Sequence, residues 1–192
     1  MAKIIVITGG ARSGKSAFAE KLARQAGPQV AYIATAEVGD GEMAERVALH
    51  RRRRPPEWET YEAPVQAENA IDAIAAAKQA ELILFDCLTV YTSNALLAKP
   101  EDASVPLRRA AVLAAVDRLL EAAGRFPGVV LFVTNEVGDG IVPDNALARE
   151  YRDLAGLVNQ RAAQAATEVY WVVCGLPVEI KRQALAIMEG TV

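Results

Sequence analysis

Eight residues near the start of the chain, Gly9-Gly10-Ala11-Arg12-Ser13-Gly14-Lys15-Ser16, do most to restrict what this sequence can become. They fit the pattern G-x-x-x-x-G-K-[ST], and the apolar run Lys3-Ile4-Ile5-Val6-Ile7-Thr8 before them has the length of a strand. After them, Ala17-Phe18-Ala19-Glu20-Lys21-Leu22-Ala23-Arg24-Gln25 carries apolar residues at helical spacing among good helix formers and ends at Gly27-Pro28. Strand, loop and helix in this order are what a phosphate-binding loop requires. The glycines let the chain curl so that successive backbone N–H groups face the phosphates, and the helix presents its positive end to them. Lys15 then offers a point charge to the terminal phosphates and Ser16 a hydroxyl to Mg²⁺.

The rest of the chain repeats the same alternation. Apolar runs at Ile4–Ile7, Val30–Ala34, Leu82–Phe85, Val129–Val133 and Val169–Val173 read as strands, with a short further strand at Trp58–Glu62. Between them, Ser13–Gln25, Gly41–Arg54, Val65–Ala80, Pro106–Ala123 and Asn145–Ala166 read as helices. This predicts an α/β fold of the P-loop NTPase-like kind, a mostly parallel sheet flanked by helices. Pro55-Pro56 stops the second helix, and Lys99–Val105 reads as an exposed linker. A chain of 192 residues, 52% of them apolar, fits one domain spanning 1–192. Its net charge of −3 argues against a general nucleic-acid binder, which needs a clustered basic excess. No segment has the layout of a signal peptide or the length of a membrane span, so the expected location is cytoplasmic, without membrane insertion. Cys87 and Cys174 sit in apolar runs too far apart for a zinc pattern, and are expected as buried small hydrophobes.

Open parallel sheets bind ligands at the carboxyl ends of their strands, so function is sought there. Leu82-Ile83-Leu84-Phe85-Asp86 ends in a carboxylate suited to holding Mg²⁺ opposite Ser16. Asp86-Cys87-Leu88-Thr89 continues into what reads as a polar loop with several hydroxyls. Val129–Val133 runs into Thr134-Asn135-Glu136-Val137-Gly138-Asp139-Gly140, where Asn135 or Glu136 could orient water, metal or substrate, or simply build a turn. The chain's single histidine, His50, stands directly before Arg51, Arg52, Arg53 and Arg54. Their positive field favours bound phosphates and a neutral, nucleophilic imidazole, which can form a phosphoramidate and split nucleotidyl transfer into two displacements.

These residues together resemble the bifunctional adenosylcobinamide kinase/adenosylcobinamide-phosphate guanylyltransferase family of cobalamin biosynthesis. The likeness rests on Gly9 to Ser16, Tyr32-Ile33-Ala34-Thr35-Ala36, Glu42-Met43 through His50 to Arg53-Arg54-Pro55, and Trp58, Thr60 and Glu62. It continues through Asp86-Cys87-Leu88-Thr89, Val133-Thr134-Asn135-Glu136-Val137-Gly138, Ile141-Val142-Pro143, Arg152-Asp153, Asn159-Gln160 and Gly175-Leu176-Pro177. The resemblance implies phosphorylation of adenosylcobinamide by ATP or GTP, then transfer of GMP from GTP to adenosylcobinamide phosphate through a GMP–His50 intermediate. It also implies nucleotide contacts from Gly9 to Ser16, Ala34-Thr35-Ala36, Arg51 to Arg54, Glu62 and Asp86, a core like that of recombinase-type ATPases, and a homotrimer. Tyr91 departs from the tryptophan the family favours, with a bearing on how the corrinoid edge is accommodated, and Pro55-Pro56 replaces a single proline. Two rival readings stay open from the residues alone: a simple P-loop small-molecule kinase without a covalent intermediate, and a nucleotide-gated interaction protein.

Overall fold

The computed structural model describes residues 2–37, 54–100 and 102–188. Its strands are β1 (Lys3–Thr8), β2 (Val30–Ala34), β3 (Glu59–Glu62), β4 (Leu82–Asp86), β5 (Val129–Val133), β6 (Glu168–Val173) and β7 (Leu176–Glu179). The helices are α1 (Lys15–Ala26), α2 (Ala67–Ala77), α3 (Leu88–Leu97), α4 (Val105–Arg125), α5 (Ala146–Ala165) and α6 (Lys181–Met188). The strands form one sheet in the order β3-β2-β4-β5-β1-β6-β7. Every pairing is parallel except β6 with β7.

The central strands read as unbroken apolar runs because both of their faces are covered. Successive side chains go to opposite sides: Ile4 and Val6 pack with α2, α4 and α5 through Ile71, Ile74, Val116, Leu119 and Val158. Ile5 and Ile7 pack with α1 through Ala19 and Ala23. Helix ends follow their local signals. Pro106 lies in the first turn of α4, and Asn145 caps α5 by accepting from the Ala148 N–H at 2.7 Å.

Three segments differ from the sequence expectation. Helix α3 replaces the polar loop expected after Asp86. Thr89, Val90 and Thr92 are weak helix formers, but burial of Leu88, Tyr91, Ala95 and Leu96 on one side outweighs that. The Thr92 hydroxyl is absorbed by donating to the Leu88 carbonyl at 2.7 Å. At the other edge, Leu176-Pro177-Val178-Glu179 pairs back on β6 as an antiparallel edge strand and is followed by α6. Cys174, expected to be buried, is exposed because it lies in the turn of this hairpin with φ 52°. The expected helix Gly41–Arg54 lies outside the described residues apart from Arg54.

The register places Glu62, Ala34, Asp86, Val133 and Ile7 in one row across the sheet. Four strand spacings, roughly 19 Å, separate the ends of that row. The carboxyl edge where the site was sought is therefore a level platform.

Candidate phosphate-transfer site

The loop between β1 and α1 takes a shape that a chain without glycine could not. Gly14 sits at φ 98°, and a Cβ there would stand 3.0 Å from the Gly175 Cα. A Cβ on Gly9 would meet the Val172 carbonyl oxygen at 2.5 Å and the Ser13 Oγ at 2.7 Å. The turn between β6 and β7 forms the back wall of the loop, and the Gly175 N–H donates to the Ser13 carbonyl at 2.8 Å. The buried Ser13 Oγ has no hydrogen-bond partner among the described residues. An unpaired hydroxyl inside such a cradle suits a phosphate oxygen.

Lys15 opens α1. Its ammonium donates to the Gly10 carbonyl at 3.0 Å and to the Asn135 Oδ1 at 3.1 Å. Burial pulls its pKa below the usual lysine value, against the opposing influence of Cys87 and Asp86. The lysine is thus already bound to the loop after β5.

That loop is held by a network of side chains. The Thr8 hydroxyl donates to the Glu136 Oε1 at 2.5 Å, and the Asn159 Nδ2 donates to the same oxygen at 3.2 Å. Asn159 also donates to the Asn135 carbonyl at 3.2 Å, while its own Oδ1 accepts from the Thr134 hydroxyl at 2.6 Å. The Glu136 N–H donates to the Gly9 carbonyl at 3.2 Å, tying the end of β5 to the first glycine of the phosphate loop.

A second cluster occupies β2 and β4. The Tyr32 hydroxyl donates to the Asp86 Oδ2 at 2.6 Å, and the Arg54 guanidinium lies 3.5 Å from the centre of the Tyr32 ring. Burial and the Asp86 carboxylate both raise the Tyr32 pKa, so the phenol stays protonated and remains a donor. Thr35 is fully buried, and its hydroxyl brackets the turn after Asp86, donating to the Cys87 carbonyl at 3.0 Å and accepting from the Cys87 N–H at 2.8 Å. Ala34 and Ala36, on either side of it, are half-buried. Glu62 ends the exposed edge strand β3 in the same row as Asp86.

The structure thus brings Gly9 to Ser16, Ala34 to Ala36, Arg54, Glu62, Asp86, Asn135 and Glu136 to one edge of the sheet. His50, Arg51, Arg52 and Arg53 lie outside the described residues. Thr8, Tyr32 and Asn159 were not singled out as site residues from the sequence. Their only signal was membership of the quoted motifs or, for Thr8, its place at the end of the strand. Tyr91 is wholly buried, edge-on to Phe85, with its hydroxyl 3.4 Å from Glu68, so in this chain it packs the core. Among the described residues, no group of three or more His, Cys, Asp or Glu side chains could hold a metal ion.

Residues 5–180 match the model of the family described as cobinamide kinase / cobinamide phosphate guanyltransferase. The chain belongs to this family. It is 46% identical to the Bifunctional adenosylcobalamin biosynthesis protein CobU of Salmonella typhimurium, covering 93% of this chain and 99% of that one. It is 42% identical to CobP of Pseudomonas aeruginosa, covering 94% and 98%, and 43% identical to CobU of Escherichia coli, covering 93% and 99%. Among solved structures it aligns with the flagellar accessory protein FlaH of Methanocaldococcus jannaschii at 13% identity and a TM-score of 0.46, over 88% of this chain and 70% of that one. In this family member the strand order is informative by itself. The phosphate-loop strand β1 and the Asp86 strand β4 are separated by β5, whose following loop Thr134 to Gly140 lies between them.

Proposed function

We propose that this family member is a bifunctional transferase, acting as adenosylcobinamide kinase and adenosylcobinamide-phosphate guanylyltransferase. In the first reaction the aminopropanol hydroxyl of adenosylcobinamide attacks the γ-phosphorus of ATP or GTP, and the nucleoside diphosphate leaves. In the second, His50 attacks the α-phosphorus of GTP and pyrophosphate leaves. An oxygen of adenosylcobinamide phosphate then takes GMP from the histidine, giving adenosylcobinamide-GDP and restoring the imidazole.

The observation that carries this reading is the junction at Arg54. Its stack on Tyr32, which is bonded to Asp86, sets Arg54, the last arginine of the run Arg51 to Arg54, at the Asp86 end of the sheet edge. Four peptide links separate His50 from Arg54, a reach of at most about 14 Å. One nucleotide-binding edge can therefore serve both reactions. Phosphoryl transfer asks the protein mainly for positioning and charge. In this reading the loop N–H groups and Lys15 hold the phosphates, Arg51 to Arg54 hold the triphosphate for nucleotidyl transfer, and Ala34 to Ala36 and Glu62 complete the nucleotide contacts.

The Ser16 hydroxyl and the Asp86 carboxylate would hold Mg²⁺. This sparse oxygen set fits an ion that keeps several waters and takes phosphate oxygens as further ligands. Bound there, it would neutralise charge on the phosphates. A homotrimer is part of the reading, supported by the exposed cross-strand pairs Trp171–Val178 and Val173–Leu176 on the β6–β7 hairpin. So is a cytoplasmic location; no helix among the described residues is long and apolar enough to cross a membrane.

The test is incubation with Mg²⁺ and GTP labelled at the α-phosphate, followed by denaturing separation, for the parent and for His50→Ala. Acid-labile, alkali-stable label on the parent alone is expected. Equal label on both, or none on a parent that binds GTP, would leave a simple kinase as the better reading.

A further inference from the structure

Within the proposed kinase reaction, one group still has no residue assigned to it: the one that takes the proton from the attacking hydroxyl. Three carboxylates close strands, or directly follow them, along the row across the sheet. Glu62 stands four strands from the phosphate-loop strand, on the exposed edge. Asp86 stands two strands away, with its Oδ2 accepting the Tyr32 hydroxyl. Glu136 follows β5, the immediate neighbour of β1, and its backbone N–H is bonded to Gly9 itself. The residue before it, Asn135, holds the Lys15 ammonium. The charge of Asp86 also reaches the Lys15 ammonium, but of the three carboxylates Glu136 is the one whose own backbone is tied to the phosphate loop.

How Glu136 is held says more than where it lies. Both of its side-chain hydrogen bonds, from Thr8 and Asn159, end on Oε1. Oε2 accepts none from the described residues, and Glu136 is half-buried rather than sealed in the core. If the side chain served only to pin the loop, a glutamine would do as well, because its single carbonyl oxygen could accept both bonds. What glutamate adds is a second, uncommitted, negatively charged oxygen. Thr8 and Asn159 fix the orientation of the carboxylate and leave that oxygen available.

We infer that Glu136 is the general base of the kinase step, and that Thr8 and Asn159 are the positioning residues that aim it. This rests on the functional reading above. The Glu136 Oε2 takes the proton of the acceptor hydroxyl as the oxygen–phosphorus bond forms and the bond from the γ-phosphorus to the bridging oxygen breaks. The nucleoside diphosphate leaves with that electron pair, and the proton returns from the neutral carboxyl to water after release. Guanylyl transfer to adenosylcobinamide phosphate needs no such base, because the attacking oxygen is already an anion. The two reactions of one chain should therefore separate at this residue.

Glu136→Gln keeps the acceptor for Thr8 and Asn159 and removes only the basic oxygen. The measurements are kcat and KM for phosphorylation of adenosylcobinamide and, separately, guanylylation of adenosylcobinamide phosphate by GTP. The expected result is a kinase kcat lowered by about 10²-fold or more. The nucleotide KM and the guanylylation rate should stay within about twofold of the parent, the scatter of a merely positional change. A kinase kcat within about fivefold of the parent, or both reactions falling together, overturns the assignment. Should Glu136→Gln fail to fold, Glu136→Asp sets its carboxylate one carbon back; it must lower kinase kcat while leaving guanylylation within about twofold of the parent, and an unchanged kcat overturns the idea. A parent that phosphorylates no adenosylcobinamide overturns both this inference and the functional reading, whereas an active parent with an equally active glutamine variant overturns the base alone.

Discussion

The two clusters along the sheet edge are built in contrasting ways. Over β1 and β5, the phosphate loop is closed on every side by contacts from distant parts of the chain: Lys15 on Asn135, Thr8 and Asn159 on Glu136, and Gly175 on Ser13. Over β2 and β4, the arrangement is a short chain of contacts from Asp86 through Tyr32 to Arg54, next to the exposed edge strand β3. The first cluster is a preorganised receptacle, whose donors need little rearrangement when a phosphate arrives. The second is an anchorage, fixing one end of a basic segment beside a carboxylate. A chain with a kinase and a guanylyltransferase activity has use for both kinds of build.

The sharpest way to break this contrast is Lys15→Ala. If the receptacle acts through charge on the phosphates, kcat for phosphate transfer should fall by about 10²–10³-fold. The ammonium is held at a burial cost that lowers its pKa, so the protein should not be less stable without it; the unfolding midpoint should move by less than about 2 °C. Single-turnover transfer and a thermal melt check the two halves, and a large drop in midpoint would make Lys15 a structural residue.

Tyr32→Phe probes the anchorage with a smaller expected effect. The ring and its Arg54 stack stay, while the hydrogen bond to Asp86 goes, so stability should fall by about 1–2 kcal/mol in urea titrations. Nucleotide affinity at the phosphate loop should be unchanged. A loss of affinity equal to that in Lys15→Ala would show that the two clusters act as one unit.

The smallest effect concerns the cysteines. Burial, with help from the Asp86 charge, pushes the Cys87 thiol up to about 11, whereas Cys174 is exposed in its turn. The thiolate is the reactive form, so labelling with iodoacetamide at pH 8 should modify Cys174 first. Cys87 labelling should accelerate about tenfold per pH unit until the pH reaches about 11. Equal rates at pH 8, read by mass spectrometry, would show that the ground between the two clusters is open.

What could be read from the sequence follows from how far each signal reaches along the chain. The phosphate loop is a local pattern, and strands covered on both faces become apolar runs, so β1, β2, β4, β5 and β6 were legible, as was the carboxylate of Asp86. Helix α3 was hidden because its threonines and valine favour other conformations, and only the packing of Leu88 and Tyr91 decides the matter. Strand β7 was hidden by Pro177 and by its four-residue length. The clamp on Glu136 joins residues 128 and 23 positions apart, which no periodicity reveals. The sequence could nominate Glu136 but could not separate its two oxygens.

The back wall of the phosphate loop bears on how the protein is made. Residues 9 to 16 are made well before residue 175, yet the Ser13 carbonyl waits for the N–H of Gly175, and Gly14 is packed against that same later residue. The nucleotide cradle therefore cannot reach its final shape on a nascent chain that stops short of Gly175. A growing polypeptide carries an unfinished loop until the β6–β7 hairpin has been synthesised.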